Sequence, residues 1–160
     1  MPSAVGLVAL GRTEAAVRWL TEWATTPRPA STVEYAWMVP EAVRLALRCS
    51  GLELAERLGE RGAGLLPVQQ HVTATVDALL AEARGEHEPA VAGFATSAAG
   101  WHEFGVPYEE GHALLGQGRC LAALGRAPEA AAPLAAARVI FARLGAKPAL
   151  AETDALLRHE

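Results

Sequence analysis

Residues 114–137, LLGQGRCLAALGRAPEAAAPLAAA, constrain the fold more tightly than any other stretch. Leu114, Gly118 and Leu121 are four and three residues apart, which places them on one face of a helix. Gly125 predicts the end of that helix, because glycine takes the left-handed position after a C-terminus at little steric cost. Ala130, Leu134 and Ala137 repeat the four-and-three spacing on a second helix. Small residues at Gly118 and Ala130 let two antiparallel helices approach closely, and the larger residues fill the seam between them. The stretch therefore reads as an αα-hairpin.

Small residues equivalent to Ala130 occur upstream at Ala90, Ala55 and Ala16, at spacings of 40, 35 and 39 residues. Trp101 and Phe141 are 40 apart, as are the pairs Phe104-Gly105 and Leu144-Gly145. Periods of about 34 to 40 residues belong to helical-hairpin repeats. The expected units are 3–26, 31–64, 67–105 and 107–146, followed by a capping helix over 148–159. The fold class is thus all-α, a solenoid of about three and a half antiparallel hairpins in a single domain.

The first unit has a full second helix, 13–24, but its first helix is only 3–10. That short start predicts an exposed apolar edge, which self-association would cover, or else a chain that is part of a longer protein. Residues 27–30, PRPA, predict a stiff connector, with Ser31 capping the next helix. Pro40 is expected to kink or split the 32–50 helix, leaving 41–49 as its regular part. Glu53, Glu56 and Glu60 predict a solvated helix face with Arg57 and Arg61 as partners. In the cap, Leu150, Leu156 and Leu157 form the apolar side, and Glu152, Asp154 and Arg158 are expected to face water.

Composition agrees with this reading and removes several functional classes. A hydrophobic fraction of 51% with 20% charged residues fits a folded soluble chain, and period-two runs of β-branched and aromatic residues are missing. A net charge of −4 argues against a nucleic-acid surface, which needs cations to neutralise phosphates. Thirteen of the 14 basic residues are arginines, a bias that reflects a GC-rich genome. No apolar run approaches the roughly 20 residues of a membrane helix, and no basic n-region precedes the apolar start, so the cytoplasm is the expected compartment. Cys49 and Cys120 read as small buried thiols within helices.

The pattern L-x3-G-x2-L-x3-G-x4-A-x3-L-x2-A over 114–137 resembles a tetratricopeptide repeat. Residues 108–157, together with GLELAERL at 51–58, are similar to the C-terminal helical-repeat region of large bacterial regulators. These include LuxR-type and MalT-like ATPases and adenylate-cyclase-type proteins. The resemblance implies a helical sensor or docking arm. Any ATPase, cyclase or DNA-binding function would then belong to a segment outside these 160 residues.

Patterns that carry chemistry are absent. Gly116-Gln117-Gly118 is half of a dinucleotide fingerprint, but it lies inside a helix with no strand before it, so packing explains it better. No phosphate-loop, nucleophile-elbow or HExxH motif occurs, and no cysteine–histidine cluster has zinc spacing. No catalytic residue, cofactor or metal is expected, and the chain reads as a non-enzyme.

In a stack of hairpins the first helix of each unit lines a concave groove. Counting from each anchor alanine places Trp37, Glu41, Arg44 and Arg48 there from the second unit and His71, Thr75, Leu79 and Glu82 from the third. The fourth contributes His112, Leu115 and Arg119. Arg44, Arg48, His112 and Arg119 would make one side cationic, with Trp37 as an apolar contact and His71 alongside. Such a groove would hold an acidic peptide or a protein partner by charge-assisted hydrogen bonds. The alternatives are a small effector sensed in the same groove, or ordinary solvated side chains. The asparagine-based carboxylate clamp is excluded, since the chain contains no asparagine.

Overall fold

The computed structural model describes residues 4–26, 36–64 and 66–158, and among these residues the regular structure is helical, with no strand. The expected connector at 27–30, the Ser31 cap and the helix ends at Ser3 and His159 lie outside the described residues. The chain divides into two compact units between Val76 and Asp77, inside one helix.

The first unit holds α1 (Ala4–Ala9), α2 (Thr13–Thr25), α3 (Val39–Cys49), α4 (Leu52–Gly59), a 3-10 turn at Glu60–Gly62 and the first part of α5 (Pro67–Ala83). Helix α2 packs against α1, α3 and α4, and α3 packs against α4. Its core comprises Ala16 and Leu20 of α2, Val39, Val43 and Ala46 of α3, and Ala55 and Leu58 of α4, all fully buried. The three- and four-residue spacing of these positions is the amphipathic pattern that drives each helix inward. Gly62 closes the unit, because a Cβ there would collide with the Val72 side chain and crowd Val39.

Two expectations for this unit need correction. Pro40 does not kink a helix, because α3 begins at Val39 and Pro40 sits in its first turn. The N–H that proline lacks has no intrahelical partner at that position in any helix. Arg61 does not serve the glutamate face of α4. Its Nη1 donates to the carbonyls of Ala24 (3.2 Å) and Thr26 (3.0 Å), and its guanidinium lies 5.2 Å from the Trp23 ring centre. The last carbonyls of α2 have no intrahelical N–H to accept from, so a cation held there satisfies both hydrogen bonding and the helix dipole.

The second unit holds the end of α5, then α6 (His87–Phe104), α7 (Pro107–Ala123), α8 (Ala127–Leu144) and α9 (Lys147–Arg158). Consecutive helices pack in chain order, α6 on α7, α7 on α8 and α8 on α9. Four glycines at intervals of 20 residues, Gly85, Gly105, Gly125 and Gly145, all take positive φ between 67° and 79°. After each, the next N–H reaches back to a carbonyl five residues earlier. Glu86 donates to Ala81, Val106 to Trp101, Arg126 to Leu121 and Ala146 to Phe141, at 2.9 to 3.0 Å. This is the Schellman C-cap, formed four times in one register. Pro107, Pro128 and Pro148 then stand first or second in the following helix, where their fixed φ suits helix initiation.

Buried positions recur at twice that interval. Ala90, Phe94, Ser97 and Trp101 of α6 are matched 40 residues later by Ala130, Leu134, Ala137 and Phe141 of α8, and all eight are essentially without solvent contact. Helix α7 lies between these two because its glycines leave room for their side chains. A Cβ at Gly116 would strike the Phe94 ring, at Gly118 the Leu134 side chain, and at Gly111 the rings and branches of Phe141 and Ile140. Burying each of Phe94, Leu134 and Phe141 contributes about 1.5–3 kcal/mol. Pro133 stands inside α8 and deprives the Glu129 carbonyl of a partner, yet the helix runs through it, held by Ala130, Leu134 and Ala137 on its inner face.

Candidate functional site

The six side chains expected to line one groove fall in different units, Trp37, Arg44, Arg48 and His71 in the first and His112 and Arg119 in the second. In the first unit Trp37 is 40% exposed in the turn before α3. Arg44 is ion-paired to Glu41 one helical turn away, Nη2 to Oε2 at 2.9 Å and Nε to Oε2 at 3.0 Å. Arg48 is exposed in the last turn of α3, where a cation suits the negative end of the helix dipole. His71 is half-buried on α5.

In the second unit His112 is an aromatic packing residue. Its ring meets Tyr108 edge-on with centres 4.6 Å apart and Phe141 edge-on at 5.0 Å, which seats it against α8. Beside it the end of the unit exposes Phe104, Tyr108 and Leu144.

Arg119 lies at the centre of the most developed polar constellation. Its Nε and Nη2 donate to the two carboxylate oxygens of Glu82 on α5, both at 2.8 Å, and its Nη1 donates to Glu152 Oε1 on α9 at 2.8 Å. The planar guanidinium matches the first carboxylate fork to fork and still has a donor for the second, which an ammonium could not do. Burial alone would lower the Arg119 pKa, but the hydrogen bond and charge of Glu82, then those of Glu152, outweigh it and hold the group above its ordinary value. The cationic side chain expected in a groove is therefore matched by two carboxylates of its own unit. A second pair, Arg138 Nε to Asp154 Oδ1 at 2.7 Å, also joins α8 to α9. Glu152 and Asp154 do not simply face water, as expected, but tie the cap to its neighbours.

Arg126, in the α7–α8 turn, binds Glu129 (2.6 and 2.7 Å) and Glu88 (3.2 Å). The hydrogen bond to Arg126 lowers the Glu129 pKa. Cys120, next to Arg119, is buried, and desolvation followed by the charge of Glu82 pushes its thiol up to about 12, which makes it a poor nucleophile. Among the described residues no three histidine, cysteine, aspartate or glutamate side chains converge as a metal site would require. Among them, too, no helix is long and apolar enough to cross a membrane. The polar depression lined by Gly11, Arg12, Thr13, Glu14 and Arg18 at the start of α2 is open to solvent and contains no buried polar group.

Sequence reasoning placed Arg119 correctly on a polar stripe but missed its partners. Opposite charges at Glu82, Arg119 and Glu152, on alternate helices of a hairpin series, were the available signal. No protein-family model matches the chain, and no curated protein or solved structure matches it.

Proposed function

We propose that the chain is a tetratricopeptide-like stack of helix hairpins that works as a non-enzymatic scaffold, binding a protein partner in the cytoplasm. On this reading it is part of, or related to, a larger signalling or transcriptional regulator. The observation that carries the proposal is the 40-residue recurrence of buried residues from Ala90–Trp101 to Ala130–Phe141, with identical glycine turns every 20 residues. Repeats of that kind extend a surface without building a pocket, and extended surfaces suit polypeptide partners. The ion pairs support the same reading, since Arg119, Arg126 and Arg138 are engaged in holding helices together and are not poised around a reaction centre.

The test is to crosslink the chain in its own cells, purify the protein recovered and titrate it against the isolated chain. Saturable binding with crosslinks on α6–α9 supports the scaffold. Saturable thermal stabilisation by a small metabolite, with no protein partner, would replace it with an effector sensor.

A further inference from the structure

Helix α9 is attached to its unit in an unusual way. Its two buried residues, Ala149 and Thr153, are small, while Leu150, Leu156 and Leu157 pack only partly buried on the cluster of Leu115, Leu121, Leu134 and Phe141. What fixes its register is charge. Glu152 meets Arg119 of α7 and Asp154 meets Arg138 of α8, and these pairs remain partly wet, with side-chain exposures of 50% and 31% for Glu152 and Arg119 and of 31% and 55% for Asp154 and Arg138. Ion pairs of that exposure are weak and screened by salt. The helices beneath it bury Leu115, Leu121, Leu134, Ala137 and Phe141 without needing any α9 residue as the centre of the core.

We propose that α7 and α8 form a docking groove for an acidic amphipathic helix of a partner protein, and that α9 occupies this groove in cis as a displaceable latch. The chemistry of the ligand is written in the latch itself. Leucines at positions equivalent to 150, 156 and 157 enter the apolar floor, and carboxylates equivalent to Glu152 and Asp154 bind the guanidiniums of Arg119 and Arg138. Displacement exchanges like for like, so the two arginines are never left without a carboxylate. It is the helix-in-groove mode of recognition, with the anchors supplied by one face of the incoming helix. Gly145 in the left-handed region and Pro148 at the second position of α9 oppose a continuous α8–α9 helix. That favours a foreign helix over exchange of α9 between two copies. The inference rests on the scaffold reading and names its partner class.

The probe is a fluorescein-labelled peptide of residues 147–158, titrated by anisotropy into the full chain. A tethered helix competes at millimolar effective concentration, so the peptide should bind the wild-type chain weakly. Reversing the latch charges in the chain, Glu152→Arg with Asp154→Arg, should release α9, seen as fast amide exchange confined to 150–158, and tighten peptide binding at least about tenfold. Helicity of the remaining chain, measured by circular dichroism, shows that the variant is folded. Adding Arg138→Glu to that variant should weaken the wild-type peptide and restore binding of a peptide carrying Asp154→Arg. Failure of the peptide to bind a chain whose α9 is demonstrably released overturns the groove and leaves the scaffold reading standing on other surfaces. A concentration-dependent dimer of the full chain that excludes the peptide assigns the groove to a second copy and overturns the proposal. A metabolite effect in the thermal assay sinks the scaffold reading while the peptide assay still reports on the groove.

Discussion

Arg119 binds Glu82 through two parallel hydrogen bonds of 2.8 Å, and its third nitrogen joins the same guanidinium to Glu152. One side chain of α7 thereby links α5 to α9, skipping the helices between them in sequence. Glu82 would be left with a half-buried, unmatched carboxylate if the arginine were removed.

Arg119→Ala is therefore expected to destabilise the chain by about 1–3 kcal/mol, the cost of stranding a partly buried charged acceptor. Arg119→Lys should recover only part of this, because an ammonium cannot bind both carboxylates in fork geometry. Urea unfolding followed by circular dichroism measures both, and equal stability of lysine and arginine would contradict the bidentate role.

Gly116 faces the ring of buried Phe94, and an added Cβ has no space there. Gly116→Ala should cost about 1–3 kcal/mol by overpacking. Adding Phe94→Leu makes room, so the double variant should be less destabilised than the sum of the singles, by about 0.5 kcal/mol or more. Strict additivity in a double-mutant cycle would show that the two do not touch.

How far the sequence exposes this architecture is clearest at such glycines. The spacing Leu114–Gly118–Leu121, the stop at Gly125 and the 40-residue pairing of Trp101 with Phe141 follow directly from helical periodicity, and the second unit was legible on those grounds. The first unit was less so, because its helices are short and Pro40 could be an interior kink or a first-turn residue until the start of α3 was known. The polar site was half legible. Arg119 and Glu82 were assigned to one stripe, but a sequence gives no distance between residues 37 apart, and so did not show that the cation was already neutralised. His112 was misjudged for a related reason, since an imidazole is as good an edge-on partner for Phe141 as it is a charge.

Arg61 caps α2 from another helix, binding Ala24 and Thr26 carbonyls while lying over Trp23. Arg61→Ala should destabilise the first unit by about 1–2 kcal/mol through loss of these contacts. Amide exchange should rise first near the C-terminal end of α2, and unchanged protection there would contradict the capping role.

The Cys120 thiol, pushed up to about 12 by burial, keeps its proton in the folded state well above the ordinary value of about 8.5. The sign follows from proton binding: the unfolded thiol ionises first. Its contribution to stability is therefore fully present below the ordinary value and is lost as pH rises toward about 12. At pH about 8 iodoacetamide should modify half-buried Cys49 well before Cys120, and Cys120 should react only when the chain is unfolded. Peptide mass spectrometry of the alkylated chain distinguishes the two, and comparable labelling of both cysteines would contradict it.

The scaffold reading is tested most directly by the melting temperature of the purified chain, measured against a panel of soluble metabolites and against the purified crosslinked partner. The expected result is no saturable rise with any small molecule and a saturable rise with the partner, worth about 2.7 kcal/mol at a hundredfold excess over Kd. A saturable rise produced by a metabolite alone, with no effect of the protein, would contradict it.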